Sequence, residues 1–210
     1  MALGARATGA SGSFGEAPVR HGRGEMVLLA LAYGLAGFGY IITATFLPVI
    51  ARTALPGSAW LDLFWPIFGL GVMVGALLAT RISPRIDFRL LLAGCYVTQA
   101  LGIAASIWSP SLAGFAGGSL LLGLPFTAIT FFAMQEVRRL RSVTAASFMG
   151  LLTATYGVGQ ILGPPLVAVL LRHTRSPGQG FTLSLEIAVA TLLAGAAIYG
   201  WMTRAYPRPA

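Results

Sequence analysis

Six apolar stretches, each long enough to cross a bilayer, occupy almost the whole chain after residue 25. A helix needs about 20 predominantly apolar residues to span the hydrocarbon core, and runs of that length recur here between short polar breaks. The chain reads as an all-α integral membrane protein. Composition agrees: only 10% of its residues are charged, where a soluble domain carries about 25%.

The predicted spans are Met26–Ile50, Ala59–Thr80, Phe88–Trp108, Ala113–Gln135, Ala145–Leu171 and Phe181–Thr203. Residues 1–25 are rich in Gly, Ala and Ser and carry Arg6, Arg20 and Arg23. They lack an apolar h-region, so they read as a flexible cytoplasmic lead rather than a signal peptide. A bundle over 26–203 and a short cytoplasmic tail over 204–210 complete the division. Trp60, Trp108 and Trp201 fall near span ends, where indoles favour the headgroup region.

The net charge of +8 comes entirely from arginine, with no lysine. Counting by side puts eleven arginines with the termini and the second and fourth loops, against Arg52, Arg172 and Arg175 opposite. That bias places both termini in the cytoplasm, in a bacterial inner membrane. Spread in this way, the basic residues mark topology, and no nucleic-acid partner is expected. Cys95 is the sole cysteine and lies inside an apolar run, so no intrachain disulfide forms.

Small residues at four-residue spacing let helices pack closely in lipid. Gly71, Gly75 and Ala79 form such a stripe on the second span, Gly94, Thr98, Gly102 and Ser106 on the third, and Gly159 with Gly163 on the fifth. Polar side chains within spans must face protein or water, so their spacing marks inward faces. Tyr33, Gly37, Tyr40, Thr43 and Ala44 share one side of the first span. Thr127, Thr130, Phe131 and Met134 share one side of the fourth, and Thr153, Tyr156 and Gln160 align on the fifth. Together they outline a cavity with aromatic walls and neutral hydrogen-bonding groups. Each threonine also has a purely structural reading, its hydroxyl bonding the preceding turn. Prolines at 66, 125, 164 and 165 lie within spans, where each removes a backbone donor and can kink its helix.

Two acids are candidates for a role inside the membrane. Glu186 lies about one and a half turns into the last span and is the candidate for proton coupling. Asp62, in the first turn of the second span, suits a helix N-terminus. Asp87 and Glu136 fall in arginine-rich loops and are expected to form local ion pairs. His21 and His173 lie outside the spans, and HExxH, CxxC and Walker-type motifs are absent. No catalytic residue, metal or cofactor is expected, and the chain does not read as an enzyme.

The run Tyr33-Gly-Leu-Ala-Gly-Phe-Gly-Tyr40-Ile-Ile-Thr43-Ala-Thr-Phe-Leu-Pro48 resembles the seventh helix of a major facilitator superfamily transporter, most closely the YbfB/YjiJ branch. Trp60-Leu61-Asp62, Trp65-Pro66 and the Gly157–Pro165 run are similar to that branch's eighth and eleventh helices. The resemblance covers residues 26 to about 203. It implies a C-terminal half, two inverted three-helix repeats, of a twelve-helix secondary transporter. The Gly75-to-Arg81 segment lacks the acid of the superfamily's loop signature, so the usual loop latch is not expected. The site of such a transporter lies between halves, so this half would pair with an N-terminal six-helix half or a second copy of itself.

The expected function is transport of a small uncharged or amphipathic solute by alternating access. The expected contacts are Tyr40, Thr43, Thr127, Thr130, Phe131, Tyr156 and Gln160, with the lipid bilayer as the other partner. The alternative is a non-transporting scaffold or assembly subunit, held by its small-residue faces.

Overall fold

Helix caps and prolines set where each element starts and stops. The computed structural model describes residues 22–58, 62–83 and 85–208. Among them run α1 (Arg23–Ala54), α2 (Phe64–Arg81), α3 (Phe88–Trp108), α4 (Leu112–Gly123), α5 (Phe126–Leu140), α6 (Ala145–His173) and α7 (Pro177–Ala205). Six of the resulting segments are long and apolar enough to cross a membrane, α4 and α5 counting as one. Residues 1–21 of the N-terminal lead and Trp60 lie outside the described residues, and the last three residues of the lead, Arg23 to Glu25, open α1. Asp87 caps α3 by accepting the Arg89 backbone N–H at 2.9 Å, and Ser111 caps α4 from Gly114 at 3.2 Å. Ser176 does the same for α7, with Pro177 at the first helical position. Such caps satisfy backbone donors that have no partner inside the helix.

The third span has its expected bounds, and two others need correction. The fourth is broken at Leu124-Pro125, because Pro125 cannot donate to the turn before it. The second starts at Phe64 after a short 3₁₀ turn, which puts Pro66 in the first helical turn. There a missing N–H costs nothing, so Pro66 is no kink. Pro48, Pro164 and Pro165 sit inside continuous helices. Asp62 caps no helix but pairs with Arg52 at 3.1 Å, well exposed to the surroundings.

The helices pair twice over in the same pattern. α1 packs on α6 and α7, while the α4–α5 span packs on α2 and α3; α3 and α7 pack together. Exchanging the first three spans with the last three maps these main pairings onto each other. Glycine makes both large contacts possible. A methyl group on Gly37 would collide with the Tyr156 carbonyl, and one on Gly75 with the Leu124 carbonyl. The stripes on α2 and α6 are thus buried against neighbouring backbone. The stripe on α3 splits: Gly102 and Ser106 pack on α4, but Gly94 is exposed, with open space where a side chain would go.

At the face where both ends of the bundle lie, a charged cluster ties four elements together. The Arg89 side chain is 1% exposed, and its Nη1 donates to Glu25 at 3.2 Å and to the carbonyls of Met202 and Tyr206 at 3.1 and 2.9 Å. Its Nε and Nη2 donate to the Asp87 carboxylate, Nη2 at 2.8 Å. Arg208, beyond α7, bridges Asp87 and Glu136. The local pair expected for Asp87 forms, with Arg89, whereas the one expected for Glu136 does not. Glu136 is fully buried on α5, and its partner lies 72 residues away. Burial opposes ionisation of Asp87, but hydrogen bonds from the Arg89 side chain and backbone, with the charges of Arg208 and Arg89, outweigh it. They hold the carboxyl below its ordinary range.

Candidate functional site

Two tyrosines seven residues apart on α1 lie on one side of the helix and organise a face shared with α2, α5 and α6. Tyr33, 3% exposed, donates its hydroxyl to Thr130 Oγ1 at 3.1 Å, and its ring lies 5.0 Å from that of Tyr156. Tyr40 stacks at 4.6 Å on Phe126 and 6.2 Å from Phe68. Phe68 in turn meets Phe126 at 5.8 Å and Trp65 edge-on at 5.7 Å. The result is an aromatic wall in two parts, Tyr33 with Tyr156 of α6, and Tyr40 with Phe126 of α5 and Phe68 and Trp65 of α2.

Three polar groups on α1 and α6 have no hydrogen-bond partner among the described residues. The hydroxyls of Tyr40 and Tyr156 and the amide of Gln160 make no hydrogen bond among the described residues, and none is sealed in the interior. A phenol or amide in apolar surroundings needs a partner, so each is a ready contact for a solute. Pro164 and Pro165 add to this by leaving the carbonyls of Gln160 and Ile161 without their usual helical donors. The wall itself carries no ionised side chain, so the face presents aromatic area and neutral hydrogen bonding.

The structure divides the expected residues. Tyr40 lies against Phe126 and Phe68, and Tyr156 against Tyr33, which also anchors Thr130; Gln160 stands one turn beyond Tyr156 on α6. Thr43 does not join them: it is fully buried and donates to the Gly39 carbonyl at 3.0 Å. Thr127 donates to the Val72 carbonyl at 3.4 Å, tying α5 to α2. Phe131 is partly exposed, and its ring contact is with Phe132 at 5.6 Å rather than with the wall. Glu186 is exposed on α7, which contributes no residue to the wall. The expected contacts omit Tyr33, Phe68 and Phe126. Tyr33 lies on the same stripe as Tyr40, and Phe126 stands one turn before Thr130, so helical spacing was the available signal.

Comparison with known proteins fits this architecture. Residues 2–199 match the family described as "Uncharacterised MFS-type transporter YbfB". The chain belongs to this family. It is also similar to "Membrane protein MosC" of Rhizobium meliloti, 25% identical over 63% of this chain and 32% of that protein. A "Chloramphenicol resistance protein" of Streptomyces lividans is 31% identical over 80% of this chain and 44% of that protein. The chain thus spans less than half the length of these two relatives. No solved structure matches it.

Proposed function

We propose that this chain is the C-terminal six-helix half of a secondary transporter that moves a small uncharged or amphipathic solute by alternating access. The observation that carries the proposal is the wall with three unpaired neutral groups, Tyr40, Tyr156 and Gln160, and no charge. Aromatic rings would hold the solute by packing, and the hydroxyls and amide would orient it by hydrogen bonds. In this superfamily the site lies between two halves, so the open wall is half a site. The coverage of the relatives supports the same reading, with the second half supplied by six further helices or by another copy. Arginine distribution supports cytoplasmic termini, and the bacterial relatives support the inner membrane. The reading includes no catalytic step and no bound cofactor. Glu186 stands off the wall, and no proton step is routed through it.

Chloramphenicol, uncharged and amphipathic, is the first solute to test, given the name of one relative. With the complementary half present, Tyr40→Ala and Gln160→Ala should each reduce transport about ten-fold at unchanged expression, as expected when a hydrogen bond worth ~1.4 kcal/mol is lost. Unchanged transport in both variants would overturn the assignment. The scaffold alternative rests on the small-residue faces, and those on α2 and α6 are taken up by packing within the chain.

A further inference from the structure

The exchange of the two three-span units breaks at one place. α6 packs against α7, but α2 and α3 make no comparable contact. They diverge, leaving a crevice of about 330 Å³. Leu78 and Ile82 line one wall and Leu90 and Gly94 the other, with Leu124 and Phe132 among the residues that close it behind. The lining is apolar; Thr98, the one hydroxyl there, is already bonded to the Gly94 carbonyl at 2.9 Å. At Gly94 nothing lies within reach of an added side chain, so the space is open there.

The turn between α2 and α3 follows the lining residue Ile82 at the end of the bundle where the termini lie. Arg81 ends α2 beside the lining residue Ile82, and Arg85 sits in the turn; both are exposed. Neither has an acidic partner among the described residues. The nearby acids are engaged elsewhere, Asp87 with Arg89 and Arg208, Glu136 with Arg208, and Glu25 with Arg89. An apolar slot between two helices therefore lies close in the chain to two exposed arginines without acidic partners, and guanidinium groups are well suited to bind phosphate oxygens.

We infer that this crevice binds an anionic phospholipid, with an acyl chain between α2 and α3 and its phosphate on Arg81 and Arg85. Basic pockets between helices at the cytoplasmic surface recognise anionic headgroups in this way. In the orientation proposed above, the lipid comes from the cytoplasmic leaflet.

The test is native mass spectrometry of the full chain in neutral detergent. The chain is equilibrated with phosphatidylglycerol or with phosphatidylcholine of the same acyl chains. Phosphatidylglycerol should be retained about ten-fold more, as expected for two arginines at about 1 kcal/mol each, partly offset by hydration. Arg81→Gln/Arg85→Gln should bring it to the phosphatidylcholine level. Gly94→Leu, which fills open space, should remove retention of both. Excess inorganic phosphate should not displace the lipid. A second readout needs no variant: phosphatidylglycerol should slow alkylation of Cys95, which lines the crevice, more than phosphatidylcholine does at equal concentration. Equal retention of the two lipids by the wild-type chain, no protection of Cys95, or displacement by phosphate would each overturn the inference. Neither readout depends on transport, so its failure would leave the proposed function standing, and the reverse holds too.

Discussion

Thr43 donates its hydroxyl to a carbonyl of its own helix, whereas Thr130 accepts one from Tyr33 on another helix. Sequence spacing does not separate these fates, because every helical threonine lies within reach of a preceding carbonyl. Thr43→Val should therefore leave transport unchanged. Tyr33→Phe should lower stability by about 1 kcal/mol, the usual net worth of a hydrogen bond; thermal unfolding in detergent measures it. The helix sides that carry Tyr40, Tyr156 and Gln160 were legible because polar groups at helical spacing mark one side. Phe68 was not, because an aromatic residue on a membrane helix reads equally well as lipid-facing, and Phe126 was marked only by its place one turn before Thr130. Asp87 supplies a pH dependence. Its carboxyl is depressed in the folded state, so its stabilisation is present above the unfolded value of about 3.9 and is lost as pH falls below it. The unfolding temperature should drop on acidification below about pH 4, and Asp87→Asn should flatten that part of the profile.

Among the elements, helix positions were largely legible from hydropathy, since a span must be both long and apolar. The third span matches to the residue, with Asp87 as its cap. What hydropathy did not resolve is the division of the fourth span into α4 and α5, because Leu124-Pro125 is as apolar as its surroundings. The small-residue stripes show the same limit. Those on α2 and α3 have equal spacing, yet Gly75 meets the Leu124 backbone and Gly94 meets empty space. Which helix lies opposite is a tertiary fact. Gly75→Leu should overpack the contact between α2 and α4 by several kcal/mol and abolish recovery of folded protein, while Gly94→Leu should fold normally. Size-exclusion profiles of the two variants, purified in parallel, check the contrast.

At the scale of the whole molecule, the charged cluster is the least legible feature. Arginine counts along the sequence report topology, and they do not show that Glu25, Arg89, Glu136 and Arg208 meet. Replacing one member of a buried ionic set strands its partners. Arg89→Gln should cost about 3–5 kcal/mol. Arg89→Lys should not restore it, because an ammonium group cannot serve two carboxylates and two carbonyls from one planar fork. Unfolding temperatures of the three proteins provide the check. The cluster also has a consequence for biosynthesis. α3 leaves the ribosome carrying an arginine whose partners on α5 and at the end of α7 do not yet exist. Until α5 has been made only Asp87 and Glu25 can neutralise it, and the carbonyls of Met202 and Tyr206 arrive last. Threading the last helix into place is thus the step that commits the bundle, and quality control has a strongly polar, incompletely paired helix to recognise until then.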